Sequence, residues 1–140
     1  MPIQLELVAI TLDCADPEAL AEFYRQATGF ELHPKSDSDF AGLNRADGLF
    51  LGFQRVEGYR APRWPDQTVP QQIHLDFKVD DLDRAEAELL GLGAIKPWHQ
   101  PTGDKRRVLI DPAGHPFCLT RGPSHEFEGR LSGVPLHFSA

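Results

Sequence analysis

Apolar and polar positions change period several times along this chain, and the changes mark out its elements. Residues 5–14 alternate loosely in a stretch rich in Leu, Val, Ile and Thr, which predicts a strand. Asp16-Pro17-Glu18 then reads as a helix start, with Asp16 as N-cap, Pro17 at the first helical position and Glu18 in the first turn. Leu20, Phe23 and Tyr24 give that helix a buried stripe at spacings of three and four, and Gly29 ends it. Short strands are predicted over 30–33, 40–44 and 49–56, the last two joined by a turn at Asp47-Gly48. Periodicity then disappears over 57–70, a proline-containing linker around Trp64.

Beyond the linker the pattern starts again. Residues 72–79 alternate strongly, with Ile73, Leu75, Phe77 and Val79 on one face and His74, Asp76 and Lys78 on the other. Asp81 caps a second helix whose Leu82, Ala85, Leu89 and Leu90 share a face, and Gly91 and Gly93 are expected to stop it. Strands are predicted over 94–98, 106–110 and 117–120, with Asp111-Pro112-Ala113-Gly114 as the last turn. Asp81 follows Asp16 by 65 positions, Gly93 follows Gly29 by 64 and Gly114 follows Gly48 by 66. The chain is therefore an internal repeat of strand, helix and three strands. The expected class is α+β. A unit this small cannot cover its own sheet, so two copies side by side would leave a trough between them.

Composition changes the picture only in part. At 140 residues the chain falls in the usual one-domain range of ~100–200 residues, and its 41% hydrophobic and 25% charged content is ordinary for a folded protein. A net charge of −7 argues against nucleic acid or an anionic membrane as partner. Two cysteines, Cys14 and Cys118, do not make a disulfide scaffold. No apolar run approaches a membrane span, and Met1-Pro2-Ile3-Gln4 does not open like a signal peptide. Together these point to a cytoplasmic protein.

On the stretches LVAITLDCADPEALAEFYRQATGFEL, IHLDFKVDDLDRAEAELLGLGA and VLIDPAGHPFCLTR, within residues 5–121, the chain resembles the vicinal oxygen chelate superfamily. This is the group of glyoxalase I, bleomycin-resistance proteins, fosfomycin-resistance enzymes and extradiol dioxygenases. The resemblance implies two paired βαβββ modules forming a curled mixed sheet around a cleft. It sets out a single glyoxalase-like domain over 1–122, with module one at 4–56, the linker at 57–70, module two at 71–121, and a tail at 123–140. It also implies a homodimer.

Metalloenzymes of that group place one ligand on the first and one on the last strand of each module, where a divalent metal chelates neighbouring substrate oxygens. The matching positions here are Ala9, Gly52, His74 and Cys118. Two of the four carry no donor, Gln54 is a poor third ligand, and a zinc site wants at least three. No metal or other cofactor is therefore expected.

Strand alternation puts Leu7, Ala9 and Thr11, then Phe50, Gly52 and Gln54, on a small, largely apolar cleft wall. It puts Gln72, His74 and Asp76, then Pro116, Cys118 and Thr120, on a polar one. The expected ligand-binding residues are Ala9, Phe50, Gly52, Gln54, Trp64, His74, Arg107 and Cys118. Trp64 reads either as an aromatic lid or as an anchor for the linker. Arg107 reads either as a binder of a ligand's carboxylate or phosphate or as a solvated edge residue. His74 and Asp76, two apart on one face, are the candidate catalytic acid/base pair, or else an ordinary hydrogen-bonded pair. The leading expectation is a protein that binds a small, partly hydrophobic organic molecule without the family metal. The alternatives are a lyase- or isomerase-type enzyme of the same group, either metal-dependent or using His74 and Asp76 as acid and base, and an interaction module with a disused cleft.

Overall fold

The computed structural model of the chain describes residues 3–103 and 105–121. The predicted tail at 123–140 lies outside the described residues. The chain divides into two compact units, 1–59 and 60–140.

The first unit runs β1 (Ala9–Cys14), α1 (Pro17–Thr28), β2 (Glu31–Leu32), β3 (Phe40–Asn44) and β4 (Phe50–Arg55). Its sheet has the order β1-β4-β3-β2, with β1 and β4 parallel and the other pairs antiparallel. The start of α1 is the one predicted. Asp16 is the N-cap, its Oδ1 accepting from the Ala19 N–H at 3.1 Å, and Gly29 closes the helix at φ 76°. Leu20, Ala21 and Tyr24 of α1 bury against one sheet face. That face is built from Leu12, Cys14, Ala41, Leu43, Leu51 and Phe53, all nearly inaccessible. The Tyr24 and Phe53 rings lie parallel with centroids 5.6 Å apart. The predicted first strand was longer. Residues 3–8 form no strand, and Ile3, Leu5, Leu7 and Val8 are exposed.

The second unit runs β5 (Leu75–Lys78), α2 (Leu82–Leu92), β6 (Arg106–Ile110) and β7 (Pro116–Thr120). The sheet order is β5-β7-β6, with β5 parallel to β7 and β6 antiparallel to it. The repeat read from the sequence thus reappears as topology: in each unit the first strand pairs parallel with the last. Asp81 caps α2, its Oδ1 accepting from Arg84 N–H at 3.1 Å. Gly93 at φ 119° ends the helix, whereas Gly91 lies inside it.

One predicted strand, 94–98, is reduced to a single bridge between Ile95 and Ile110. The cause is Pro97. In an antiparallel ladder the next hydrogen-bonded pair after Ile95 and Ile110 would be residues 97 and 108, and proline has no N–H to donate. The carboxamide of Gln100 takes over that position. Its Nε2 donates to Val108 O at 3.0 Å and to Pro97 O at 3.0 Å, and its Oε1 accepts from Val108 N at 2.9 Å. A side chain therefore closes the edge of β6 where a strand was expected.

Candidate functional site

Each sheet has one face covered by its helix and one free of it, and the phase of the strands assigns residues to them. In the first unit the register pairs Ala9 with Phe50, Thr11 with Gly52 and Asp13 with Gln54. Leu12, Phe53 and their neighbours face α1. Ala9, Thr11, Phe50, Gly52 and Gln54 therefore share the helix-free face. Their predicted grouping into one wall corresponds to one sheet face.

Two residues not anticipated from the sequence complete this face. Gly42 of β3 stands opposite Gly52 of β4, and Phe40 lies on the same face, two positions from Gly42. The Phe40 and Phe50 rings are parallel to within 2°, centroids 6.1 Å apart, and lie over the glycine pair. A Cβ on Gly42 would collide with the Phe50 ring, and one on Gly52 would stand 2.9 Å from Phe40 Cζ and 3.0 Å from Thr11 Oγ1. The glycines are therefore required for close approach of the rings to the backbone.

Beside the rings is a cavity of about 260 Å³ lined by His33, Lys35, Ser36, Phe40, Gly42 and Phe50. The His33 ring meets Phe50 edge to face at 6.2 Å. Alternation alone could flag Phe40 and Gly42. His33, Lys35 and Ser36 belong to the β2–β3 connection, whose course a period cannot give.

In the second unit, Arg107 Nη1 lies 2.8 Å from Asp83 Oδ1 and 3.4 Å from Glu86 Oε1, both on α2. Arg107 thus faces the helix, and its expected place on the ligand wall is corrected. Two acidic side chains on α2 draw it to that side. The opposite face carries Arg106, Val108, Cys118, Thr120, Asp76 and His74, in keeping with the pairing of Asp76 to Cys118 and Cys118 to Val108. His74 Nε2 stands 3.2 Å from Asp76 Oδ2, with the two side chains 18% and 20% exposed. The predicted polar pair is therefore in place.

Trp64 packs on Val108 and Cys118 over the same face, and Cys118 is fully covered. The linker is anchored there again where Ala61 meets Gly114, at whose Cα a Cβ would stand 2.6 Å from Ala61 Cβ. Trp64 and Cys118 were expected as ligand-lining groups, Trp64 with an anchor as its other reading. Here they cover each other, because the indole is the largest apolar group the linker can bury. Arg106, not Arg107, is the arginine on this face, and it is almost wholly buried. Neither end of a five-residue strand tells which of two adjacent arginines turns to the helix.

A metal at the family positions does not fit these residues. Ala9 and Gly52 offer no donor, and Phe40, Phe50 and Thr11 already crowd the space above Gly52. Cys118 Sγ lies within the Trp64–Val108 cluster. Among the described residues no three His, Cys, Asp or Glu side chains gather as a ligand group.

A repeat of sheet-and-helix units, each pairing its first strand parallel to its last, defines the glyoxalase/bleomycin-resistance architecture. The profile of the glyoxalase-like domain matches residues 9–120, and the chain belongs to that family. No curated protein sequence matches it. Among solved structures it is similar to a possible glyoxalase from Bacillus cereus, at 17% identity and TM-score 0.63, over 84% of this chain and 99% of that one. It is similar also to a fosfomycin resistance protein from Listeria monocytogenes solved with Mn(II) and a dihydroxypropylphosphonic acid, at 18% identity and TM-score 0.67, over 92% and 99%. A third is the bleomycin-binding protein of Streptomyces verticillus with copper(II)-bleomycin, at 22% identity and TM-score 0.52, over 87% and 100%. At these identities the likeness concerns the fold. No helix among the described residues is long and apolar enough to cross a membrane.

Proposed function

We propose that this protein binds a small, partly hydrophobic organic molecule on the helix-free face of its first unit, without the metal used by the family's metalloenzymes. One observation carries the reading. Gly42 and Gly52 form a side-chain-free floor on which Phe40 and Phe50 lie parallel, and Phe40 remains 38% exposed. Partly exposed aromatic rings beside a cavity of about 260 Å³ suit an apolar ligand of one or two rings. Ala9, Thr11 and Gln54 extend the same surface. Binding proteins of this fold include one solved with bleomycin. A homodimer in the cytoplasm is the setting that goes with this reading, and its mass in solution tests the dimer.

The test is fluorescence titration of the full chain with 2-naphthalenemethanol, a neutral two-ring probe, with elemental analysis of protein purified without chelator. The expected result is saturable binding that Phe50→Ala weakens at least tenfold and that EDTA leaves unchanged. No binding by the wild type, or one divalent metal held per chain through dialysis, would overturn the proposal.

A second reading is an enzyme of lyase or isomerase type in which His74 and Asp76 exchange a proton with the substrate. It is supported by the 3.2 Å approach of two half-buried groups on one strand face. Its test is His74→Ala. Conversion lost with binding retained supports the pair, and a folded variant with unchanged conversion removes it.

A further inference from the structure

The cavity beside Phe40 and Phe50 has an apolar floor, but its rim has a definite charge. Lys35 lines it. The other cations of the first unit are already matched: Arg25 to Glu22 at 2.6 Å, Arg45 to Asp47 at 2.5 Å, and Arg55 to Asp39 and Glu57 at 3.6 and 3.4 Å. Among the described residues of this unit, the Lys35 ammonium is the one lysine or arginine group without a carboxylate partner. The nearest acid in sequence, Asp37, is turned to the backbone, its Oδ1 accepting from the N–H groups of Asp39 at 2.8 Å and Phe40 at 3.0 Å. Those two bonds also hold its carboxyl below the usual carboxylate range.

A second donor stands next to Lys35. The backbone N–H of Lys35 donates to His33 Nδ1 at 3.1 Å. An imidazole nitrogen that accepts carries no proton, so Nε2 is the N–H nitrogen of the neutral ring. This bond fixes the ring's orientation against the Phe50 edge, 6.2 Å from its centroid. The Ser36 hydroxyl oxygen accepts from Gly42 N–H at 3.1 Å, which ties the β2–β3 connection down to the glycine floor. The pocket therefore combines the stacking surface of Phe40 and Phe50 with Lys35 and the His33 imidazole in its lining.

We infer that the ligand of this pocket is a planar apolar ring bearing a carboxylate, with the ring on Phe40 and Phe50 and the carboxylate against Lys35 and His33. This deepens the proposed function and rests on it. Lys35 is exposed and solvated when the pocket is empty, so the preference rests on what a carboxylate adds: a charge-assisted hydrogen bond at the rim that a neutral ring cannot make. On a chain of net charge −7 the general field repels anions, so recognition of one has to come from such a local pair.

The experiment compares 2-naphthoate with 2-naphthalenemethanol on the full chain at low ionic strength. The expected result is at least tenfold tighter binding of the carboxylate, reduced by 0.5 M NaCl. Lys35→Gln should bring the affinities of the two probes within about twofold of each other. Lys96→Gln, a lysine of the second unit paired with Glu86 at 3.1 Å, should keep the full preference. Equal affinity of both probes for the wild type, or a preference that survives Lys35→Gln, overturns the carboxylate assignment and leaves the apolar site standing. Failure of both probes to bind overturns the apolar site itself.

Discussion

Replacing Gln100 tests whether a side chain really does the work of a strand. Val108 is almost wholly buried, and its N–H and C=O both pair with the Gln100 carboxamide. Gln100→Ala removes three hydrogen bonds, one of them to Pro97 O, and leaves two buried backbone groups of Val108 without their partner. A buried group so stranded costs about 1–3 kcal/mol, and partial access of water at this half-buried edge favours the lower end. The expected loss is therefore roughly 2–4 kcal/mol for the two groups together. Gln100→Glu keeps an oxygen for Val108 N–H but has no donor for the two carbonyls, and should lie between the wild type and the alanine variant. Urea unfolding measures the total, and amide exchange reads the site itself. A loss of 2 kcal/mol should speed exchange at Val108 about thirtyfold. A loss below about 0.5 kcal/mol with unchanged exchange at Val108 would refute the argument that the carboxamide replaces residue 97 in the ladder.

Three further outcomes follow from the structure. Trp64→Ala should destabilise the chain by about 3–5 kcal/mol, because it empties the space over Val108 and Cys118; an effect below about 1 kcal/mol in urea would mean that the linker is not anchored there. Asp16→Ala and Asp81→Ala should each lower stability by ~1 kcal/mol through loss of the bonds to Ala19 and Arg84 N–H, and Asn at either position should restore most of it. Arg25 and Gln26 hold the Glu22 carboxyl down to about 2 from its ordinary 4.5, and Arg45 and the Leu49 amide hold Asp47 down to about 2 from 3.8. Because these folded-state values are depressed, the stabilisation is present above the ordinary values and is lost as pH falls toward 2. The wild type should therefore lose stability between about pH 4.5 and 2 more steeply than the Glu22→Gln, Asp47→Asn double variant, and parallel curves would count against the pairs.

Much of the architecture was legible in order along the chain. Period-two runs, Asp16 and Asp81 as caps, and Gly29 and Gly93 as stops are local signals, read over a few residues and repeated at nearly constant spacing. They specify two copies of one motif and hence the α+β class. They also assign Ala9, Thr11, Phe50, Gly52 and Gln54 to one face, because alternation along a strand is a property of the backbone. Only the tertiary structure decided what each face meets. Whether Arg106 or Arg107 turns to the helix depends on where Asp83 and Glu86 arrive from α2. Whether Trp64 covers Cys118 depends on the path of a linker without a period. What closes the edge of β6 where Pro97 cannot pair depends on the Gln100 side chain, three residues further on. The pocket at His33, Lys35, Phe40 and Phe50 joins a loop to two strands. Its chemistry comes from separations across space, which a pattern along the chain does not contain.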